Sequence, residues 1–477
     1  MIITRRQLLA SSSLAGIGLV LPSKKRDLED KARSALQRAV RFYREEVGVH
    51  GGYLWRYSDD LSKREGEGEA SAMTAWVQPP GTPTVGLAYL RAFEAVGDNG
   101  YLEAARETAY ALVRGQLRSG GWTYRIEFEP TERKRYAYRK EGGREKSRNV
   151  TTLDDDTSQA ALRFLMRADS ALGFKDDRIH EASEYALASL LKAQYPNGAW
   201  PQGFDQIPEP TQFPAKKASY PESWSREYVK SDYWRYYTIN DGNLERMVVT
   251  LLEASEVYRN PEYRRAALRI GDFLVLAQIP EPQPAWAQQY DFKMHPAWAR
   301  KFEPPSITGG ESQGALRTLL ALYAESGDRK LLAPIPPALD YLRRSRLPDG
   351  RLARFYELKT NRPLYFTRDY RLTYEDTDLP THYGFKVADG TLAIERDYRR
   401  LSALDFDTLT ATKESKAVPR RPAESEVVEV IRNLDARGRW IEDGRLRYHG
   451  PADPTRRIID SATFAKNIGI LSAFLKP

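Results

Sequence analysis

Apolar residues recur at helical spacing in paired runs along this chain, and each pair ends on a loop rich in glycine and tryptophan. Gly81-Thr82-Pro83-Thr84 opens a run carrying Leu87, Leu90, Phe93 and Val96, and a Gly-Asp turn follows at 97–98. A second run from Tyr101 to Val113 closes with Gln116, Gly120, Gly121 and Trp122. The pattern returns from Asp156, with helices expected around Ala160 to Leu172 and His180 to Leu191, and closes with Gln194, Gly198 and Trp200. Further copies run from Asp241 to Trp286 and from Glu311 to Arg346 and the Arg354 segment. The starts at 81, 156, 241 and 311 are spaced by 75, 85 and 70 residues. A lone helix pair cannot bury both faces, so stacking the pairs around an axis is the economical way to one core. The expected fold is all-α, an α/α toroid of repeated helix pairs. An earlier pair near Leu28 to Tyr43 and a late one, Val427 to Leu434 with Phe464 to Leu475, complete the ring.

Long irregular stretches fall between the repeats, at 122–149, 204–232 and 281–308, and in a toroid such loops gather at one rim as the binding face. The charged run from Glu127 to Arg148 reads as an exposed loop. Residues 353–363, Ala353 to Pro363, together with Arg368-Asp369 show no clean helical or strand period, which points to a site rather than scaffold. Acidic groups stand just before three helical runs, at Asp154-Asp155-Asp156, Asp241 and Glu311, where they also suit the helix dipole.

Composition narrows the chemistry. The chain has 477 residues, 73 basic against 65 acidic, a net charge of +8, no cysteine and five histidines. Disulfides, thiolate zinc sites and cysteine nucleophiles are excluded, and no histidine pair has metal-ligand spacing. A hard cation held by carboxylates fits what remains. The positive balance mildly favours a polyanionic partner such as nucleic acid, anionic lipid or an acidic polysaccharide; the basic runs are too short for a nucleic-acid arm, so no nucleic acid is expected, and no stable membrane insertion after export. Thr4-Arg5-Arg6-Gln7-Leu8-Leu9 and the apolar run to Leu21 fit a bacterial twin-arginine export signal over 1–25, giving a periplasmic or extracellular protein. The toroid is expected over residues 26–385, with 386–477 an extension packed on it. A monomer is expected.

Gly310-Glu311-Ser312-Gln313-Gly314 matches the G-x-S-x-G elbow of serine hydrolases, yet no buried strand precedes it. The closures at Trp122 and Trp200, with Asp154-Asp155-Asp156-Thr157, resemble motifs of the toroidal terpenoid cyclases, although Leu153 stands where their motif begins with Asp. At Trp122 the closure is read as structural, and Trp200 is carried forward as a sugar contact. Arg354, Arg362 and Arg368 are interleaved with Phe355, Tyr356, Tyr365 and Phe366, a mixture suited to carboxylated sugars.

From about Asp154 to Phe385 the chain resembles the pectate lyases of polysaccharide lyase family 10. The likeness rests on Ala193 to Gln202, Asn240-Asp241, Ala299-Arg300, Thr308 to Ser312, and Ala353 to Pro363 with Arg368-Asp369. It implies cleavage of polygalacturonate or a related polyuronate by calcium-assisted β-elimination. Arg368, Asp154 and Asp241 match the family's catalytic residues. Arg300 matches its substrate-binding arginine, and Arg354, Arg362, Glu311, Tyr356 and Trp200 join it in the expected sugar contacts. Asp154, Asp155 and Asp241 are the expected calcium ligands. The family's Asp-Asn-Gly-Ala-Thr reads Asp154-Asp155-Asp156-Thr157-Ser158 here, and its His-Ala-Thr-Phe reads Tyr236-Tyr237-Thr238-Ile239, so the acids of the site are rearranged. The alternatives are a toroid glycoside hydrolase using paired aspartates and a non-catalytic polysaccharide-binding protein.

Overall fold

Helix pairs dominate the chain, as the 3.6-residue period requires. The computed structural model describes residues 24–140, 146–405, 408 and 421–476. The expected export signal therefore lies outside the described residues, apart from its last two positions. The longer helices are α1 Lys24–Phe42, α2 Thr82–Val96, α3 Asn99–Gly115, α4 Thr157–Ala171, α5 Asp177–Ala193, α6 Asn243–Tyr258, α7 Pro261–Ala277, α8 Gly309–Ser326, α9 Ile335–Arg344, α10 Thr391–Ser402, α11 Glu424–Arg432 and α12 Ser461–Leu475. Their boundaries follow local chemistry. Asp98, Asp176 and Asn260 accept backbone N–H bonds at the starts of α3, α5 and α7, and Gly97 and Gly327 end α2 and α8 in the left-handed region.

Inner helices touch in the order α12, α2, α4, α6, α8 and α10, while α3, α5, α7 and α9 pack behind their partners. The molecule is an α/α toroid whose last helix sits beside the first repeat. Strand Arg457–Asp460 reinforces that junction by pairing antiparallel with Arg56–Ser58, joining residues about 400 apart in sequence. No helix of the described residues is long and apolar enough to cross a membrane.

One hydrogen-bonding device repeats around the ring. The side-chain amide of Gln116 donates to the carbonyls of Gly120 and of Ala182 in the next outer helix. Gln194 does the same to Gly198 and Ala266, and Gln278 to Pro284 and Pro334. Each following tryptophan donates its indole N–H to the end of the outer helix: Trp122 to Leu112, Trp200 to Leu190, Trp286 to Leu274 and, after α11, Trp440 to Val430. The tryptophan bonds supply partners for carbonyls that a helix end would otherwise leave bare. Gly198 is required where it stands, because its φ is +92° and a Cβ there would lie 2.0 Å from the carbonyl oxygen of Arg269.

Short strands edge one rim. Thr151–Thr152, Tyr237–Thr238 and Ile307–Thr308 lead into α4, α6 and α8 and pair with Gly203–Phe204, Gln289–Tyr290 and Phe355–Tyr356. The Arg354 segment thus turns out to be largely scaffold: Phe355, Tyr356, Glu357 and Leu358 are buried. The Glu127–Arg148 region also departs from the exposed loop expected. Strand Arg125–Glu127 pairs with Thr74–Trp76, and Tyr138 is buried, while 141–145 lie outside the described residues.

Candidate active site

Two of the inner helices begin with the same unusual turn. In Asp154–Asp156 and Asn240–Gly242 the middle and last residues are left-handed: Asp155 at φ 50°, Asp156 at 62°, Asp241 at 49° and Gly242 at 70°. Left-handed non-glycine backbone costs about 1 kcal/mol or more per residue, and such strain concentrates at functional sites. The two turns touch. They bring one carboxylate oxygen each from Asp154, Asp155 and Asp241 within 4.8 Å of one another.

The donors that orient these carboxylates include neutral groups. Tyr124 Oη donates to Asp154 Oδ2 at 3.0 Å, Gln78 Nε2 to Asp155 Oδ2 at 3.0 Å, and Asn240 Nδ2 to Asp241 Oδ2 at 2.8 Å. Desolvation by the surrounding rim, with repulsion from Asp154 and Glu67, raises Asp155 to about 6. Desolvation, then Asp154, Glu311 and Asp155, raises Asp241 to about 7. Asp154 is raised by desolvation as well, against the pull of Tyr124, Gln202 and Arg300. Clustered carboxylates with raised pKa values carry negative charge that their neighbours offset only in part. An oxygen-only donor set of this kind suits a hard divalent cation.

The facing wall is cationic. Arg300, side chain 39% exposed, forks onto buried Glu303 at 2.9 and 2.6 Å and acts electrostatically on all three aspartates. Burial opposes the charge on Arg300, but Glu303 overcomes it and holds the guanidinium well above its usual range. Arg354 follows from strand pairing: Gly309 N–H donates to the Arg354 carbonyl at 3.1 Å, setting Arg354 Nη1 3.6 Å from Glu311 Oε1. Tyr383 lies between the two arginines. Its hydroxyl accepts from Arg354 Nη1 at 3.0 Å and donates to Glu303 Oε1 at 2.9 Å, and its ring sits under Arg354 at 4.5 Å and near Arg300 at 5.6 Å.

The sequence-derived residues divide accordingly. Asp154, Asp155, Asp241, Glu311, Arg300 and Arg354 are gathered in one place. Arg368 sits apart from that network in the turn between strands Pro363–Phe366 and Leu372–Thr373. It is 71% exposed, with Nε 3.3 Å from Asp378 Oδ1. Its turn is anchored beside Arg300, because Tyr370 stacks on Phe302 at 5.6 Å. Arg362 is exposed and lies over the Tyr374 ring at 3.4 Å, outside the acidic cluster's network.

Trp200 and Tyr356 are corrected to structural roles. The first is buried with its indole N–H spent on Leu190, and the second is buried with its hydroxyl donating to the Ser345 carbonyl and accepting from Ala353 N–H. Neither offers a face to a ligand. Ser312 is no nucleophile either: its hydroxyl bonds both the N–H and the carbonyl of Trp286, as Ser158 does with Trp122.

Sequence reasoning missed Glu303, Tyr383, Tyr124 and Gln78. The three-residue spacing of Arg300 and Glu303 was a usable signal. The other three are distant in sequence and meet the site only through the toroid.

The family model for pectic acid lyases matches residues 116–352. Among solved structures, a mutant family 10 polysaccharide lyase from Cellvibrio cellulosa, in complex with trigalacturonic acid, is 17% identical with a TM-score of 0.45, over 67% of this chain and 98% of that one. A family 76 α-mannanase from Bacteroides thetaiotaomicron is 11% identical with a TM-score of 0.39, over 95% and 96%. A type II terpene cyclase from Scytonema is 12% identical with a TM-score of 0.31, over 94% and 98%. No curated protein matches the chain. At these scores the structural likenesses carry no argument, and the assignment rests on the family model.

Proposed function

We propose, for a chain that belongs to the pectic acid lyase family over residues 116–352 and is a polysaccharide lyase, that it cleaves polygalacturonate or a related polyuronate by calcium-assisted β-elimination after export from a bacterial cell. The observation that carries the reading is the cluster of Asp154, Asp155 and Asp241 facing the guanidinium of Arg300.

Asp154, Asp155 and Asp241 would hold the calcium. When bound, it supplies positive charge to the substrate carboxylate, which stabilises the enolate-like charge that develops as C5 loses its proton. Arg300 and Arg354 orient and neutralise uronate carboxylates, and Tyr383 keeps the two guanidinium groups apart. Arg368 takes the C5 proton. The C5–H electrons form the C4=C5 double bond, the C4–O bond breaks with its electrons on oxygen, and that oxygen takes a proton from water and leaves as a hydroxyl. An arginine gives up its proton only where positive charge is dense and water scarce. The exposed Arg368 turn therefore closes toward Arg300 when sugar is bound.

Absorbance in the ultraviolet during incubation with polygalacturonate, with calcium and with chelator, tests this directly. A calcium-dependent rise that Arg368→Ala abolishes supports β-elimination. New reducing ends without absorbance would instead favour a hydrolase, for which Asp241 at about 7 is a suitable acid beside an ionised partner.

A further inference from the structure

Residues of the Arg368 hairpin border a groove of about 640 Å³ that the acidic cluster does not line. One wall comes from the 226–228 segment, the floor from Trp298 and Phe366, and the other wall from Lys301, Tyr370 and the strand reaching Tyr374. Trp298 is held rigidly, its indole N–H donating to the Ser225 carbonyl at 2.9 Å, and Tyr228 packs edge-on against it at 5.8 Å. An ion pair between Arg226 and buried Glu357 ties the loop to the hairpin. Among the lining residues three cations, Arg226, Lys301 and Arg371, stand against one carboxylate, Glu227. Arg226 and Arg371 have acidic partners, but no described carboxylate lies within ion-pair distance of Lys301, whose Nζ rests 3.6 Å from the Tyr370 ring centre.

We infer that this groove is an accessory subsite for a uronate residue of the polysaccharide, beyond the sugars that contact the aspartates. The exposed Tyr228 ring suits the apolar face of a pyranose, and the Lys301 ammonium, which no described carboxylate pairs, suits its carboxylate. The groove joins the site through consecutive residues, since Arg300 faces the aspartates and Lys301 faces the groove. A chain leaving the site past Arg300 therefore reaches Lys301 next. The inference rests on the proposed function for the identity of the sugar.

The test is the double variant Tyr228→Ala with Lys301→Ala, both exposed positions outside the reacting cluster. Initial rates are measured on trigalacturonate and on octagalacturonate. The expected result is a KM for the octamer raised roughly five- to tenfold with kcat unchanged, and a KM for the trimer within error of the parent. Equal changes at both lengths, or none, overturn the subsite. If the parent does not turn over uronates, the proposed function falls, and calorimetric titration of octagalacturonate into parent and variant decides the subsite separately. Weaker binding by the variant supports it, and equal binding or none by the parent overturns it.

Discussion

Asp155 and Asp241 occupy the same position of two successive repeats, both left-handed at φ 50° and 49°. This equivalence turns two helix starts into one carboxylate cluster, because each turn throws its middle side chain toward the same point of the rim.

The cluster gives stability a definite pH dependence. Asp155 and Asp241 titrate at about 6 and about 7 in the folded chain, against an ordinary value of 3.8. The folded state therefore holds protons that the unfolded state has released. Their stabilising contribution is complete below the unfolded value and is lost as pH rises through 6 and 7. Without divalent cations, the thermal midpoint is expected to fall between about pH 4 and pH 7, and calcium is expected to restore it at the upper end. Asp155→Asn should flatten the dependence and weaken calcium binding about tenfold or more. Differential scanning calorimetry at several pH values, with calcium and with chelator, reads all three.

Arg368 and Arg300 should respond oppositely to truncation. Arg368 is exposed, so Arg368→Ala is expected to change stability by no more than about 0.5 kcal/mol while kcat falls roughly 10²- to 10⁴-fold. Arg300→Ala strands buried Glu303 without its fork and is expected to cost about 3 kcal/mol or more of stability. Chemical denaturation alongside initial rates separates the two.

Tyr383→Phe removes the hydroxyl that links Arg354 to Glu303. KM for polygalacturonate should rise several-fold and kcat change little. Arginine placement is the property at stake, and a variant with the parent's KM would count against it.

Trp200 separates scaffold from sugar contact. Trp200→Phe leaves a smaller ring in a fully buried site and loses the bond to Leu190, so stability should fall by about 2–3 kcal/mol with KM unchanged. Gln194→Ala removes two donated bonds and the acceptor used by Arg269, and should cost about 2–3 kcal/mol. Urea denaturation and steady-state kinetics check both variants.

Apolar spacing and capping residues made the helix pairs legible, because period and caps are local properties of the chain. The Gln-to-Trp closures were legible as repeats for the same reason. Period alone misread Ala353 to Pro363 as a site, since strands of two residues are too short to show alternation. The segment's aromatics became scaffold, and Arg354 alone turned to the acids. Gly438 and Trp440 repeat the closure's glycine and tryptophan after α11.

Local pattern along the chain accounts for the repeating helix pairs, the helix starts bearing Asp154 to Asp156, Asp241 and Glu311, and the exclusion of thiol chemistry. Packing brings two left-handed turns into contact, sets Arg300 rather than Arg368 against the aspartates, and lays Tyr383 across two arginines. Helix caps act within a few residues of chain, so sequence reveals them. Carboxylate distances and raised pKa values depend on how the toroid brings residues 78, 124, 154, 241, 300 and 383 to one rim, a packing outcome that no local pattern encodes.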